Sequence, residues 1–256
     1  MLNRINFLDY DFISEESNTS VVEDILSNVS FDESNKLPFL ITPNVDYLVK
    51  LNRTENYWLK QILIQSRYIL PDGMPIVLGS RFFNKNLSSR LTGSDLFPSL
   101  WKKLIYLSKN ILVLSSSAEI SQKLEMESPT VKCMTMPFFS TDDNSLIDKI
   151  VTDCVDIIIR KKIYIVFIGL GFPKQDILAL KLYEALKGKP NQPMPLFCML
   201  GASFEFYLNI KKRAPIFWQK LGAEWFFRFV NEPTRLFRRY FIDSWAFIQI
   251  SFRESK

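Results

Sequence analysis

Histidine is absent from all 256 residues of this chain. That single absence removes Ser-His-Asp and Cys-His catalysis, imidazole-bound zinc and a histidine general base. Cysteine is scarce. Cys133, Cys154 and Cys198 are far apart, odd in number and form no CxxC pair, so a disulfide framework and a thiolate zinc site are both unsupported and a reducing cytoplasm fits. No stretch reaches the roughly 18 unbroken apolar residues of a spanning helix. The N-terminus, MLNRINFLDYDFISEE, lacks a signal-peptide apolar region and a small-residue cleavage site, so any membrane contact is expected to be peripheral. Internal repeats and low-complexity tracts are missing as well.

What is present is an ordinary folded composition, 47% apolar and 23% charged, in a chain long enough to bury a substantial core. Short apolar runs at Leu37–Thr42, Tyr68–Leu70, Ile111–Ser115, Val131–Met136, Ile163–Gly169 and Pro195–Leu200 alternate with helical patterns such as Val45–Asn52, Ser94–Ser108 and Asp142–Lys161. Continuous apolar strands separated by helices predict an α/β, Rossmann-like domain over 1–208 with a largely parallel sheet flanked by helices. Ligands of such sheets sit outside the carboxyl ends of the strands. Past Gly201 the pattern is helical only, and residues 209–256 are expected to form a helical, membrane-associating appendage.

Charge separates these two parts. Residues 211–256 hold ten Lys/Arg against four Asp/Glu, a net +6, although the whole chain is only +5. The same stretch carries 12 of the 36 aromatic residues. A near-neutral body with a basic aromatic end suits an anionic surface or a phosphate-bearing ligand, and the alternative is a helix pair whose aromatics are core. The neutral body offers no extended basic track for nucleic acid.

Residues that follow the strands carry the chemistry. Thr42-Pro43-Asn44 follows the first run, Pro71-Asp72-Gly73 the second, Gly169-Leu-Gly171-Phe-Pro173-Lys174-Gln175-Asp176 the fifth and Gly201-Ala-Ser203 the last. Gly171 lets backbone approach a ligand, and Pro173 can open a helix whose free N–H groups attract anions, with Lys174 and Gln175 in its first turn; a plain strand-to-helix turn is the alternative. Asp72 is either a solvated Asp-Gly turn or, in a chain without histidine, a general base. Arg90 precedes Gly93 and Ser94, the expected helix cap; it is a surface cation unless a phosphate binds there. The pair Asp9-Tyr-Asp11 has the DxD form of a metal-diphosphate site, but its place at the extreme N-terminus favours a structural role. Asp142-Asp143 reads as an acidic helix start.

Together and in this order, TPNVDYL, LPDGMP, RLTGSDL, GLGFPKQD, GASFEF, KRAPIFWQKLGAEWFFR and EPTRLFRRY resemble the WecG/TagA/CpsF family of bacterial glycosyltransferases, from about Leu37 to Tyr240. The resemblance implies inverting, metal-independent transfer of a sugar from a UDP-sugar to a polyprenyl-diphosphate-linked saccharide, at the inner face of the cell membrane, in capsule, exopolysaccharide, teichoic acid or antigen synthesis. UDP-sugar is then a substrate and no cofactor is needed. It implies Asp72 as base and a donor/acceptor pocket of Thr42, Asn44, Arg90, Gly171, Lys174, Gln175 and Gly201. It also implies that Arg213, Arg228, Arg235, Arg238 and Arg239 meet the acceptor diphosphate, that the appendage seats on an anionic membrane, and that a homo-oligomer is possible. Asp176 stands where the family usually has Glu, Asn209 where it has Gly, and ILVLSSSAE lacks the family's glycine. These departures leave ManNAc, ManNAcA, glucose, glucuronic acid and galactose open as donor sugars. A non-catalytic nucleotide-sugar or phosphate module that recruits a membrane assembly is the competing class.

Overall fold

A computed structural model describes residues 1–31, 35–189, 193–211 and 243–254. The elements run β1 (Arg4–Phe7), β2 (Tyr10–Ile13), α1 (Asn18–Ser27), β3 (Leu37–Ile41), α2 (Val45–Leu51), α3 (Tyr57–Leu63), β4 (Ser66–Ile69), α4 (Met74–Phe82), α5 (Gly93–Tyr106) and β5 (Ile111–Ser115). They continue with α6 (Ala118–Glu125), β6 (Val131–Thr135), α7 (Asn144–Lys161), β7 (Ile165–Ile168), α8 (Lys174–Leu186), β8 (Leu196–Met199), α9 (Ser203–Tyr207) and α10 (Asp243–Glu254). Each expected apolar run becomes a strand of one six-stranded sheet in the order β4-β3-β8-β7-β5-β6. Every pairing in that sheet is parallel. The α/β expectation therefore holds, and no helix among the described residues is long and apolar enough to cross a membrane.

The inner strands β3, β5, β7 and β8 are almost wholly apolar because both sheet faces are covered, whereas the edge strands β4 and β6 carry Arg67 and Lys132. Phe39 and Ile41, Leu112 and Leu114, Val166 and Ile168, and Phe197 and Met199 enter one core with α2, α7 and α8. Their neighbours Leu40, Ile111, Val113, Ile165, Phe167, Leu196 and Cys198 enter the other with α1, α5 and α6. Side chains alternate along a strand, so a strand buried on both faces must be apolar at every position. Each such Leu, Ile or Phe contributes about 1.5–3 kcal/mol of burial.

Sequence reading did not foresee the antiparallel hairpin β1–β2. Its two-residue turn puts Leu8 and Asp9 at φ 56° and 63°, the mirror-image turn that matches strand twist. The hairpin absorbs the DxD pair. Asp11 pairs with Arg4 at 3.2 Å and with Lys36, while Asp9 meets the buried Lys60 at 3.2 Å. The two carboxylates thus serve different cations, as a structural role requires. Among the described residues no cluster of three or more His, Cys, Asp or Glu side chains is placed to hold a metal ion.

The C-terminal helix α10 is in contact with α2. Its Phe247 is buried in the first core, and a Cβ on Gly79 of α4 would lie 3.5 Å from that ring. Phe252 of α10 stacks edge-on against Phe82 and Phe83 at 6.1 and 5.3 Å. At Asn209, where the resemblance expects glycine, φ is 55°. Asn is the side chain that best tolerates that left-handed backbone, which explains the replacement.

Gly169 ends β7 beneath Phe204, and a Cβ there would fall 2.3 Å from the Phe204 ring. Phe204 is enclosed by Phe97 and Phe167 at 4.9 and 6.4 Å, so it has little room to yield. Gly169→Ala is expected to lower stability by about 1–3 kcal/mol through overpacking, measured as a shift of the urea midpoint at constant m-value.

Candidate active site

The loops singled out after the strands follow β3, β4, β7 and β8, which are four adjacent strands of the sheet. Parallel pairing brings all four to the same carboxyl edge. Backbone bonds then continue past the strand ends: Leu70 N donates to Ile41 O at 3.0 Å, Asp72 N to Pro43 O at 3.0 Å, and Leu91 N to Pro71 O at 3.0 Å. The Asp72 segment is thereby held between Thr42–Asn44 and Arg90–Leu91. Asp72 is half-buried and stands just before Gly73, whose φ of 135° permits the sharp turn into α4.

Thr42 belongs to the same junction. A Cβ on Gly93 would meet Ser203 Oγ at 3.0 Å and Thr42 Oγ1 at 3.3 Å, so the start of α5 is wedged between the loops after β3 and β8. The cap of α5 is Thr92 rather than the expected Ser94. Thr92 Oγ1 accepts from Asp95 N at 3.1 Å and donates to the Asp95 carboxylate at 2.8 Å. The cap precedes Gly93, because glycine must occupy the crowded first turn. Arg90 is mostly buried and lies 3.9 Å from Asp95. It lines an open polar cleft of about 320 Å³ with Ser17, Asn18, Thr19, Leu91, Asp95 and Ser99.

Asn44 caps α2, its Oδ1 accepting from Tyr47 N at 3.1 Å. Gln175 is buried, and its Oε1 accepts from Gly201 N at 3.2 Å, so it ties the loop after β7 to the loop after β8. Gly201 has φ 54°. A Cβ on Gly171 would meet nothing within 4 Å, which leaves this backbone open to a ligand. The Phe172–Pro173 peptide is cis. Lys174 leans toward the loop after β6, with its ammonium 4.3 and 5.1 Å from the rings of Phe138 and Phe139. Arg213, Arg228, Arg235, Arg238 and Arg239 lie outside the described residues.

Two residues of this edge escaped the sequence reading of the site. Tyr47 donates its hydroxyl hydrogen bond to Oδ1 of Asp176, and both side chains are buried. Burial pushes the Asp176 carboxyl up to about 7, against the lowering effect of the Tyr47 bond. The signal was available as an acidic residue next to a glycine-rich turn, but that it faces inward is a tertiary fact. Asp176 thus lies beneath the pocket loop. The thiols offer no nucleophile: burial raises Cys133 and Cys154 to about 12 and Cys198 well above its ordinary value.

The glycosyl transferase WecG/TagA/CpsF family matches this chain over residues 5–256. The chain belongs to that family. Among its relatives is an N-acetylglucosaminyldiphosphoundecaprenol N-acetyl-beta-D-mannosaminyltransferase of Bacillus spizizenii, 26% identical over 91% of this chain and 84% of the relative. Proteins of the same name from Bacillus subtilis and Staphylococcus aureus are 28% and 24% identical; they cover 76% and 92% of this chain, and 73% and 87% of their own lengths.

Asn44 has a structural bond and an implied ligand role, and the two separate by substitution. Asn44→Ala is expected to cost about 0.5–2 kcal/mol through the lost cap, whereas Asn44→Asp keeps the cap. A chemical melt of both variants, beside UDP titration by calorimetry, checks this. Loss of UDP affinity in Asn44→Asp at unchanged stability assigns the side chain to the ligand.

Proposed function

We propose that this chain is an inverting glycosyltransferase that moves a sugar from a UDP-sugar onto a polyprenyl-diphosphate-linked saccharide at the membrane surface, in cell-envelope polysaccharide synthesis. The observation that carries this reading is the convergence of Thr42, Asn44, Asp72, Arg90, Gln175 and Gly201 on one edge of the sheet, in a member of a glycosyl transferase family. The names of the relatives support N-acetylmannosamine as the transferred sugar and an N-acetylglucosaminyl-diphosphate lipid as acceptor.

The chemistry needs few parts. A sugar hydroxyl is a weak nucleophile, so a carboxylate within hydrogen-bond reach takes its proton as the oxygen attacks the anomeric carbon. Asp72 fills that role in this reading, since it stands at the sheet edge on a fixed backbone between Pro43 and Leu91. Attack from the face opposite the leaving group inverts the anomeric centre. The bond to UDP breaks with its electron pair, and the diphosphate takes up the charge. The open backbone at Gly171 and the positive end of the α8 dipole are suited to receive it. Arginines of the C-terminal region then face the acceptor's diphosphate, where the planar guanidinium binds two oxygens at once.

Asp72→Asn is expected to lower transfer by about 100-fold or more, within the range of general-base removal, while UDP binding stays intact. A panel of UDP-sugars with polyprenyl-diphosphate-GlcNAc acceptor measures it; full turnover in the purified variant removes Asp72 as base. Turnover unchanged by chelator is expected, and its loss would put a metal into the reaction.

The membrane role is tested by charge rather than by deletion, because α10 packs into the body. Reversing Arg235, Arg238 and Arg239 to Glu should abolish sedimentation with phosphatidylglycerol vesicles, each basic side chain contributing about 1 kcal/mol near an anionic surface. Unchanged sedimentation would contradict seating by this region.

A further inference from the structure

Among the described residues, Asp176 is the one acidic side chain that is buried, with no exposed surface. Its Oδ1 accepts from the Tyr47 hydroxyl, and its Oδ2 accepts no hydrogen bond. A carboxylate has room for about four donors. One served only by two neutral donors, the Tyr47 hydroxyl and its own backbone N–H, away from water and cations, is poorly supported as an anion.

The surroundings agree from every side. On α2 the neighbouring titratable group is Tyr47 itself, held neutral by burial and by Asp176. Behind it on β2 stands Tyr10. Lys60 lies 5.8 Å from the Tyr10 ring and is engaged with Asp9 and Asn52. Asp46 of α2 is paired with Lys50 at 2.9 Å. On α8, Lys174 turns to the rings of Phe138 and Phe139, and Lys181 pairs with Asp148 of α7 at the surface. Cys154 of α7 and Cys198 of β8 are neutral thiols.

Tyr47 is bonded twice. Its backbone N–H goes to Asn44 and its hydroxyl to Asp176. The residue before Asp176 is Gln175, which holds Gly201 N–H. A continuous chain of bonds therefore crosses the carboxyl edge, from the loop after β3 through α2 and α8 to the loop after β8. We propose that Asp176 is a positioning residue that sits uncharged and, through Tyr47, locks the first turn of α8 to that of α2, thereby fixing the Gly169–Gln175 loop against Asn44. This deepens the glycosyl-transfer reading and rests on it for its catalytic consequence, but the lock itself is a property of the fold.

The sign of the pH effect follows. Asp176 titrates near 7 in the fold and near 3.8 when unfolded. The folded state then holds the extra proton between those values, so the stability that Asp176 contributes is full below about 4, is lost as pH rises from about 4 to about 7, and is level above. Ionisation places a buried negative charge in the lock, and the loop is expected to loosen as it forms.

The test uses the full chain and the variants Asp176→Ala, Asp176→Asn and Tyr47→Phe. Protection factors of the bonded amides of Gly169, Gln175 and Asp176 at pH 6 should fall by about tenfold or more in Asp176→Ala and Tyr47→Phe. Asp176→Asn should restore them, because the amide oxygen still accepts from Tyr47. Wild-type protection should weaken as pH rises through about 7, where Asp176→Asn stays flat. The infrared spectrum at pH 6 should show a protonated-acid carbonyl band that Asp176→Asn lacks. Turnover should track protection, with the donor KM rising about tenfold in Asp176→Ala. Wild-type protection in both Asp176→Ala and Tyr47→Phe, or an absent carbonyl band, overturns the lock. If no variant, wild type included, turns over a UDP-sugar or binds UDP, the glycosyl-transfer reading fails, while exchange and infrared data still decide the lock. Should Asp176→Ala fail to fold, Tyr47→Phe carries the same comparison.

Discussion

Parallel strand pairing is the constraint on which this molecule depends. Each crossover must return the chain to the starting end of the sheet, so every strand delivers its carboxyl end to the same edge. Four inner strands apolar on both faces, flanked by two edge strands, make that edge rigid. The polar loops that follow them inherit fixed positions and add Leu70, Leu170 and Leu200 to the core. A site built this way can vary in its loops while its frame stays constant.

The frame is then stitched crosswise. Backbone bonds beyond the ends of β3 and β4 hold the Asp72 turn between its neighbours. Gln175 joins the loop after β7 to the loop after β8, and Tyr47 joins the cap of α2 to the first turn of α8. Gly93 lets α5 pack tightly against Thr42 and Ser203, and at Gly169 any side chain would collide with Phe204. Several residues of the edge thus have a bonding partner within the protein as well as an implied contact with ligand. Pre-organisation of this kind lowers the reorganisation needed when substrate binds.

The N-terminal hairpin and α10 show how the body is finished. The hairpin uses Lys60 to hold Asp9, so its acidic pair is consumed in the fold. Phe247 and Phe252 of α10 pack against the α2 and α4 side of the molecule, so aromatics of this basic region include core side chains. Trp245, by contrast, is 64% exposed. The core explanation first offered for the tail's aromatics therefore holds for Phe247.

Much of this was legible in the residues themselves. Apolar runs long enough for a strand and too short for a helix gave the parallel sheet, and turn residues after them marked the edge, because local backbone preferences and burial on both faces act through near neighbours in sequence. The absence of histidine narrowed the candidates for a general base, and the ordered motifs pointed to the family that now contains the chain. Other features were settled only by tertiary contact. Thr92 rather than Ser94 caps α5, because Gly93 is wedged between Thr42 and Ser203. Asp176 faces inward to Tyr47, 129 positions away. Sequence specifies which groups are polar and which segments fold; which polar group is sealed from water, and beside what, depends on packing between elements distant in the chain.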